Sequence, residues 1–337
     1  MLADWNFHIE ISSKCTLKCP RCPRLEVSEG LINTELPLSF FHKNFTPEFI
    51  KEKVEKIIFC GDDGDPIYAH DLIDVIKYFK SHKKISVVLI TNGSYKKKDW
   101  WVELANTLDD HDQIHFSIDG YDSQSNSIYR VNSDWDSIIE GIKTVREHSN
   151  VFMYWAAIYF KFNQKHIDSM ISQAKELKMD RFQLTRSTKF GSYNPSMYGE
   201  NDELEPDTEF VSSEHRYQRE YFELTNRIQK KPWIVKNLKF FKNTKTIDNI
   251  KPLCHIGTKG IFITSQGDFY PCCWTANRYT HNTRWQDISK TFNLYNNNLE
   301  DVLKNKIWEK DFLQDQHECR IKCSDNQVTE KYAVHRV

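Results

Sequence analysis

Three cysteines stand close together near the start of the chain, in the run CTLKCPRC: Cys15, Cys19 and Cys22. Thiolates at this C-x3-C-x2-C spacing can wrap one corner of an iron–sulfur cubane, each on a different iron, and leave the fourth iron without a protein ligand. An open coordination position is where a metal site takes a substrate or cofactor, whereas a closed four-thiolate site is structural or moves electrons. Zinc would call for paired C-x2-C motifs or histidines at fixed offsets, and neither lies nearby.

A second set lies far along the chain. Cys254 is followed by twelve residues, Gly267, four residues and Cys272, and later come Cys319 and Cys323. Four thiolates would fully ligate a single 4Fe-4S centre, and the same four could close a zinc site. Cys273 adjoins Cys272, and the residues alone leave open which of the two would bind a metal. Cys60 stands alone in an apolar run and reads as a core thiol.

The elements that must position these groups follow from the apolar pattern. Up to residue 190, short β-branched or aromatic runs alternate with longer amphipathic stretches, the pattern of βα units around a parallel sheet. Six strands are expected, at 7–11, 57–60, 85–91, 114–118, 152–158 and 181–185. Helical spacing marks 71–81, 135–148 and 165–178, and Thr46-Pro47-Glu48 supplies a capping hydroxyl with proline at the first helical position. Six units fall short of the eight of a closed barrel. The expected fold class is therefore α/β, a partial (β/α)6 TIM-like barrel, with chemistry at the carboxyl ends of its strands. The cysteine loop follows the first strand and so falls at that end.

Residues 191–250 break the pattern and read as a connector, with seven acidic residues over 200–214 and seven lysines over 230–251. From 251 to 337 a small domain is expected. Strands at 261–264 and 268–270 would turn through Ser265-Gln266-Gly267, and a helix would span 299–308.

Composition narrows the classes. The 337 residues carry 46 Lys+Arg against 47 Asp+Glu, a net charge of -1 that lacks the basic footprint of a dedicated nucleic-acid binder. No apolar run approaches the ~20 residues of a membrane span, and the first residues lack a secretory pattern. The expectation is a cytoplasmic protein without a membrane partner, in which nine cysteines serve metal or thiol chemistry rather than disulfides.

The C-x3-C-x2-C loop with six βα units behind it resembles the radical S-adenosylmethionine (SAM) superfamily. The resemblance implies that Cys15, Cys19 and Cys22 bind a 4Fe-4S cluster whose free iron is chelated by the methionine part of SAM. Reduction then cleaves SAM to methionine and a 5'-deoxyadenosyl radical. Arg21 stands where the family commonly has an aromatic residue beside the adenine; its guanidinium plane could stack there instead. Asp63-Gly64-Asp65-Pro66 resembles the Gly-Gly-Glu-Pro motif that holds the SAM ammonium, with Gly64 admitting close backbone approach and Asp65 replacing the usual Glu. Asn92 lies in a Thr-Asn-Gly run like the one many relatives carry near the ribose. Ser117, Asp119 and Arg130 resemble the Ser-x-Asp-Gly…Arg arrangement in which serine and arginine hold the SAM carboxylate, a cationic fork being its expected partner. Asn163 and Arg186, after the fifth strand and at the end of the sixth, would face the same mouth.

The segment from Cys254 resembles the SPASM and twitch extensions of this superfamily, and its count suits a twitch domain with one auxiliary 4Fe-4S cluster on Cys254, Cys272, Cys319 and Cys323. The resemblance implies an oxidoreductase or maturase that takes hydrogen from a peptide or protein side chain, oxidising or cross-linking it, with a flavodoxin or ferredoxin as reductant. Dehydrogenation of a small polar substrate such as an aminoglycoside, modification of a nucleic acid, or a non-enzymatic iron–sulfur or zinc protein are the competing readings.

Overall fold

The structure is a computed structural model and describes residues 5–20, 22, 24, 31–61, 63–187, 204, 217–227, 261–270, 276, 283–305, 307 and 335–336. Along the chain run β1 (Trp5–Ile9), α1 (Leu38–Asn44), α2 (Pro47–Lys53), β2 (Val54–Phe59), α3 (Leu72–His82) and β3 (Ser86–Thr91). Then come α4 (Lys98–Thr107), β4 (Gln113–Ser117), α5 (Ser123–Tyr129), α6 (Trp135–His148), β5 (Phe152–Ile158), α7 (Ile167–Glu176) and β6 (Arg181–Ser187). Last are β7 (Tyr217–Glu223), β8 (Ile261–Ile263), β9 (Phe269–Tyr270), α8 (Thr283–Thr291), α9 (Leu299–Leu303) and β10 (His335–Arg336).

The chain divides into two compact units, each assembled from separated stretches. One gathers Met1–Lys14, Ile32–Val88 and Lys230–Val328; the other gathers Cys15–Leu31, Leu89–Gln229 and Thr329–Val337. The division falls inside β3, which therefore contributes to both.

In the first unit the strand order is β3-β2-β1-β8-β9, with β1 parallel to β2 and β8, and β9 antiparallel to β8. Alternation along β1 and β2 sends Phe7, Ile9, Ile57 and Phe59 into full burial. Phe7 meets Phe45 edge-on at 5.0 Å, and Phe45 meets Phe79 at 5.1 Å, so α1 to α3 cover one sheet face with aromatic contacts. Such pairs add about 1 kcal/mol each beyond the area they bury. Thr46 caps α2 by accepting from the Phe49 N–H at 3.2 Å, with Pro47 at the first helical position. The hairpin forms where glycine was expected to allow it: Gly267 has φ 80°.

In the second unit the order is β10-β7-β6-β5-β4-β3, with β4, β5 and β6 parallel and β7 antiparallel to β6. Phe116, Trp155 and Phe182 are fully buried on one face. The other face of β4 to β6 carries Ser117, Ala156 and Gln183, all half-buried.

Strands β1 to β6 thus follow one another in chain order without closing, the expected partial (β/α)6 arrangement. The fifth strand matches its expected limits. The second starts three residues early, at Val54, because Lys56 is buried in the strand despite its charge. Among the described residues, no helix is long and apolar enough to cross a membrane.

Candidate active site at the cysteine loop

The loop after β1 carries the three cysteines on a backbone fixed at two points. The Cys22 N–H donates to the Cys19 carbonyl at 3.0 Å, and the Lys18 N–H donates to the Val131 carbonyl at 3.0 Å. Leu17, Tyr129, Phe160, Phe162 and Leu204 form an apolar cluster around Cys19, and Cys15 and Cys22 pack against it half-buried. Burial pushes the Cys19 thiol up to about 11, and the neighbouring Arg130 guanidinium pulls the other way. The Asn92 Nδ2 lies 3.8 Å from the Cys15 Sγ.

The three sulfurs are not all within 4.8 Å of one another; among the described residues only Asp109, Asp110 and His111 form such a group. A single tetrahedral zinc would hold its sulfurs about 2.3 Å from the metal and so about 3.8 Å apart. A cubane spreads three thiolates over three irons and needs the wider spacing. The three-thiolate donor set and its apolar surroundings fit an iron–sulfur cluster.

Arg130 ends α5 beside this loop. Its Nε donates to the Asp119 Oδ2 at 2.5 Å, and the other Asp119 oxygen accepts from the Ile158 N–H at 2.6 Å. The Asp119 side chain is 0% exposed and that of Arg130 16%. Burial pushes the Asp119 carboxyl above its usual range, while the Arg130 guanidinium and the Ile158 N–H pull it down. For Arg130, burial works against the charge, but Asp119 and Cys19 outweigh it and hold the guanidinium above its ordinary range. The result is a fixed cation beside the cysteine loop. Its Nε is committed to Asp119, and the guanidinium also hydrogen-bonds the Cys19 side chain. Ser117, at the carboxyl end of β4, is half-buried, and its hydroxyl makes no hydrogen bond among the described residues.

Two asparagines hold this arrangement from behind. Asn163, expected at the mouth, is fully buried: its amide donates to the carbonyls of Asp119 and Ile158, both at 2.8 Å, and its Oδ1 accepts from the Phe160 N–H. Asn126 was not anticipated. Its Oδ1 accepts from the N–H groups of Asp119 and Gly120 at 3.0 and 3.1 Å, and its Nδ2 donates to the Ser133 hydroxyl. The only sequence signal is its place in the α5 run SNSIYR, four residues before Arg130.

In the other unit, the turn after β2 brings the expected Gly64 and Asp65 together with residues that follow β1. A methyl group on Gly64 would come within 2.0 Å of the Ser12 carbonyl oxygen, so only glycine fits. The Asp65 N–H donates to the Lys14 carbonyl, and its Oδ1 accepts from the Ile67 N–H at 3.2 Å. The Asp63 N–H donates to Oε1 of the buried Glu10 at 2.6 Å, a contact that sequence reasoning did not find. Cys60, expected in the core, is half-buried. Arg186 lies within β6. Arg21, Cys254, Cys272, Cys273, Cys319 and Cys323 lie outside the described residues.

Comparison with known proteins adds independent findings. Residues 9–174 match the Radical SAM superfamily, and residues 254–325 match SPASM, an iron-sulfur cluster-binding domain. The chain is similar to Streptococcus suis SuiB bound to precursor peptide SuiA, with TM-score 0.59 and 17% identity, covering 94% of this chain and 68% of that one. SuiB bound to S-adenosylmethionine gives TM-score 0.59 and 17% identity, over 98% of this chain and 73% of that one. For anSMEcpe with bound AdoMet and Cp18Cys peptide the values are 0.52 and 16%, over 96% and 87%. At these identities the likeness is one of fold. No curated protein matches the sequence. On its two family matches, the chain belongs to the radical SAM superfamily and carries a C-terminal SPASM domain, with 4Fe-4S clusters and S-adenosylmethionine as its cofactors.

Proposed function

We propose that this radical SAM enzyme is a maturase acting on a side chain of a peptide or protein, which it oxidises or cross-links. When bound, the cluster and SAM would supply a 5'-deoxyadenosyl radical able to take hydrogen from an unactivated carbon, chemistry that acid–base side chains cannot provide. The protein's part is to hold SAM in one pose and keep water away.

Arg130 takes the SAM carboxylate, with Ser117 as second donor and Asp119 as the buried counter-ion that fixes the guanidinium plane. Gly64 and Asp65 offer carbonyl and carboxylate oxygens to the ammonium. Asn92 and Arg21 serve the ribose and adenine, Asn163 braces the Asp119 carbonyl, and Arg186 contacts substrate or ribose. Residues 1–190 form the catalytic domain, 191–250 a connector, and 251–337 the auxiliary domain, where Cys254, Cys272, Cys319 and Cys323 would hold a second 4Fe-4S cluster, a group that would supply electron transfer. A flavodoxin or ferredoxin delivers the starting electron.

The observation that carries this reading is the buried Asp119–Arg130 pair beside Cys19, which puts a fixed cation next to one of the three cysteines. The peptide substrate is supported by two similar structures that hold peptides, SuiB with SuiA and anSMEcpe with Cp18Cys. Incubation with candidate peptides deuterated at side-chain carbons tests it: deuterium should appear in 5'-deoxyadenosine and the peptide should lose hydrogen mass. Transfer from a sugar or aminoglycoside instead, with none from peptides, would overturn the assignment.

A further inference from the structure

The loop that follows β3 joins two segments of the site in a way the reading above does not use. Asn92 reaches the Cys15 Sγ with its Nδ2, and its Oδ1 accepts from the Ser94 N–H at 2.9 Å. Ser94 is fully buried, and its hydroxyl oxygen accepts from the Asp134 N–H at 3.3 Å. Next to it, the Tyr95 hydroxyl donates to the Asn132 carbonyl at 2.7 Å. The third side is closed by the Lys18 N–H on the Val131 carbonyl. The cysteine loop, the loop after β3 and the turn from Arg130 to Asp134 are thus tied to one another pairwise.

Backbone geometry marks one of these ties as imposed rather than relaxed. Tyr95 and Asn132, the two ends of the hydroxyl–carbonyl bond, both have φ 68°. Asparagine tolerates the left-handed region; tyrosine rarely enters it. Such a conformation persists only where the surroundings over-determine it, and it clusters at functional sites. Burial of the ring does not account for it, because Tyr95 is 49% exposed.

We propose that Tyr95 is a positioning residue for SAM: by pinning the Asn132 carbonyl it holds the Arg130–Asp134 turn, and with it the Arg130 guanidinium, against the three-cysteine loop. This rests on the reading that Arg130 takes the SAM carboxylate. The turn is closed by the Ser133 N–H on the Arg130 carbonyl at 2.9 Å and joined to α5 by the Arg130 N–H on the Asn126 carbonyl at 2.8 Å. A shift at Asn132 therefore carries to Arg130.

The test uses the full chain with clusters reconstituted anaerobically, titrated with SAM and followed by the change in the electron paramagnetic resonance spectrum of the reduced cluster. Tyr95→Phe should raise the Kd for SAM about five- to tenfold, the worth of one hydrogen bond. Iron content should stay at the wild-type level and the melting temperature should fall by no more than about 4 °C. Asn132→Gly keeps the carbonyl and accepts the same backbone geometry, so its Kd should stay within about twofold. An unchanged Kd in Tyr95→Phe overturns the proposal, as does an equal loss in Asn132→Gly or a fall in iron content alongside the lost affinity. Arg130→Gln separates the two levels: an unchanged Kd there removes the underlying reading, whereas a lost one with Tyr95→Phe unaffected removes only the role of Tyr95.

Discussion

At the turn after β2, a methyl group on Gly64 would collide with the Ser12 carbonyl; around Arg130, a carboxylate and a guanidinium share a space that solvent hardly reaches. The first region is shaped by close backbone approach and is sensitive to volume. The second is shaped by charge, and its stability depends on both partners being present. The difference separates two ways of building a rigid region: backbone groups packed at contact distance, and a cation fixed by a buried counter-ion. It also says which substitutions should be tolerated in each.

The largest expected effect is at the charged pair. Asp119→Ala strands a buried guanidinium and should cost about 3–5 kcal/mol in denaturant unfolding. Combining it with Arg130→Met leaves no buried charge and should recover at least half of that loss, while SAM binding stays absent. A single-variant cost below about 1 kcal/mol would mean that the pair behaves as an exposed one.

Volume is tested next. Gly64→Ala should cost about 3 kcal/mol, because the methyl meets backbone and no rotamer relieves it. A melting temperature equal to wild type would show that the turn yields, and the contrast with Arg130 would fail.

A smaller effect concerns His8, in the same unit as Gly64. Its ring meets Phe262 edge-on at 4.9 Å, and its Nε2 is buried without a hydrogen-bond partner among the described residues. Burial lowers its pKa from 6.5 to about 4. The unfolded chain therefore binds this proton below pH 6.5 while the folded chain does not, so the stability present above pH 6.5 is lost as pH falls toward 4. Allowing for the part of the ring that solvent reaches, the loss is about 2 kcal/mol. His8→Leu should flatten the pH dependence over that window relative to wild type; parallel curves would show that His8 does not titrate there.

Much of this was legible in the chain because the relevant signals are local. Phe152 to Ile158 reads as a strand from its own aromatic and apolar run, Thr46-Pro47 announces a helix start, and Gly267 marks the hairpin turn. The cysteine spacing and Arg130 were visible as motifs. What stayed hidden depends on contacts between segments distant in sequence. Asn163 looks like a mouth residue until its amide is seen bound to the Asp119 carbonyl, 44 residues away. Glu10 gives no hint that it receives the Asp63 N–H, and Asn126 is one polar residue among several in α5. Helices α1 and α4 escaped notice as well. The first is seven residues long, and the second opens on Lys98-Asp99-Trp100-Trp101 without a side-chain cap.

The central claim is that three thiolates hold a cluster whose remaining iron receives SAM. The most direct test measures 5'-deoxyadenosine formed from SAM by anaerobically reconstituted protein reduced with dithionite, beside a variant with Cys15, Cys19 and Cys22 all changed to Ala. Wild-type protein should carry about eight irons per chain and release 5'-deoxyadenosine, and the variant should keep about four irons and release none. Intact SAM in the wild-type reaction at full iron loading, or zinc in place of iron at the three cysteines, would contradict the account.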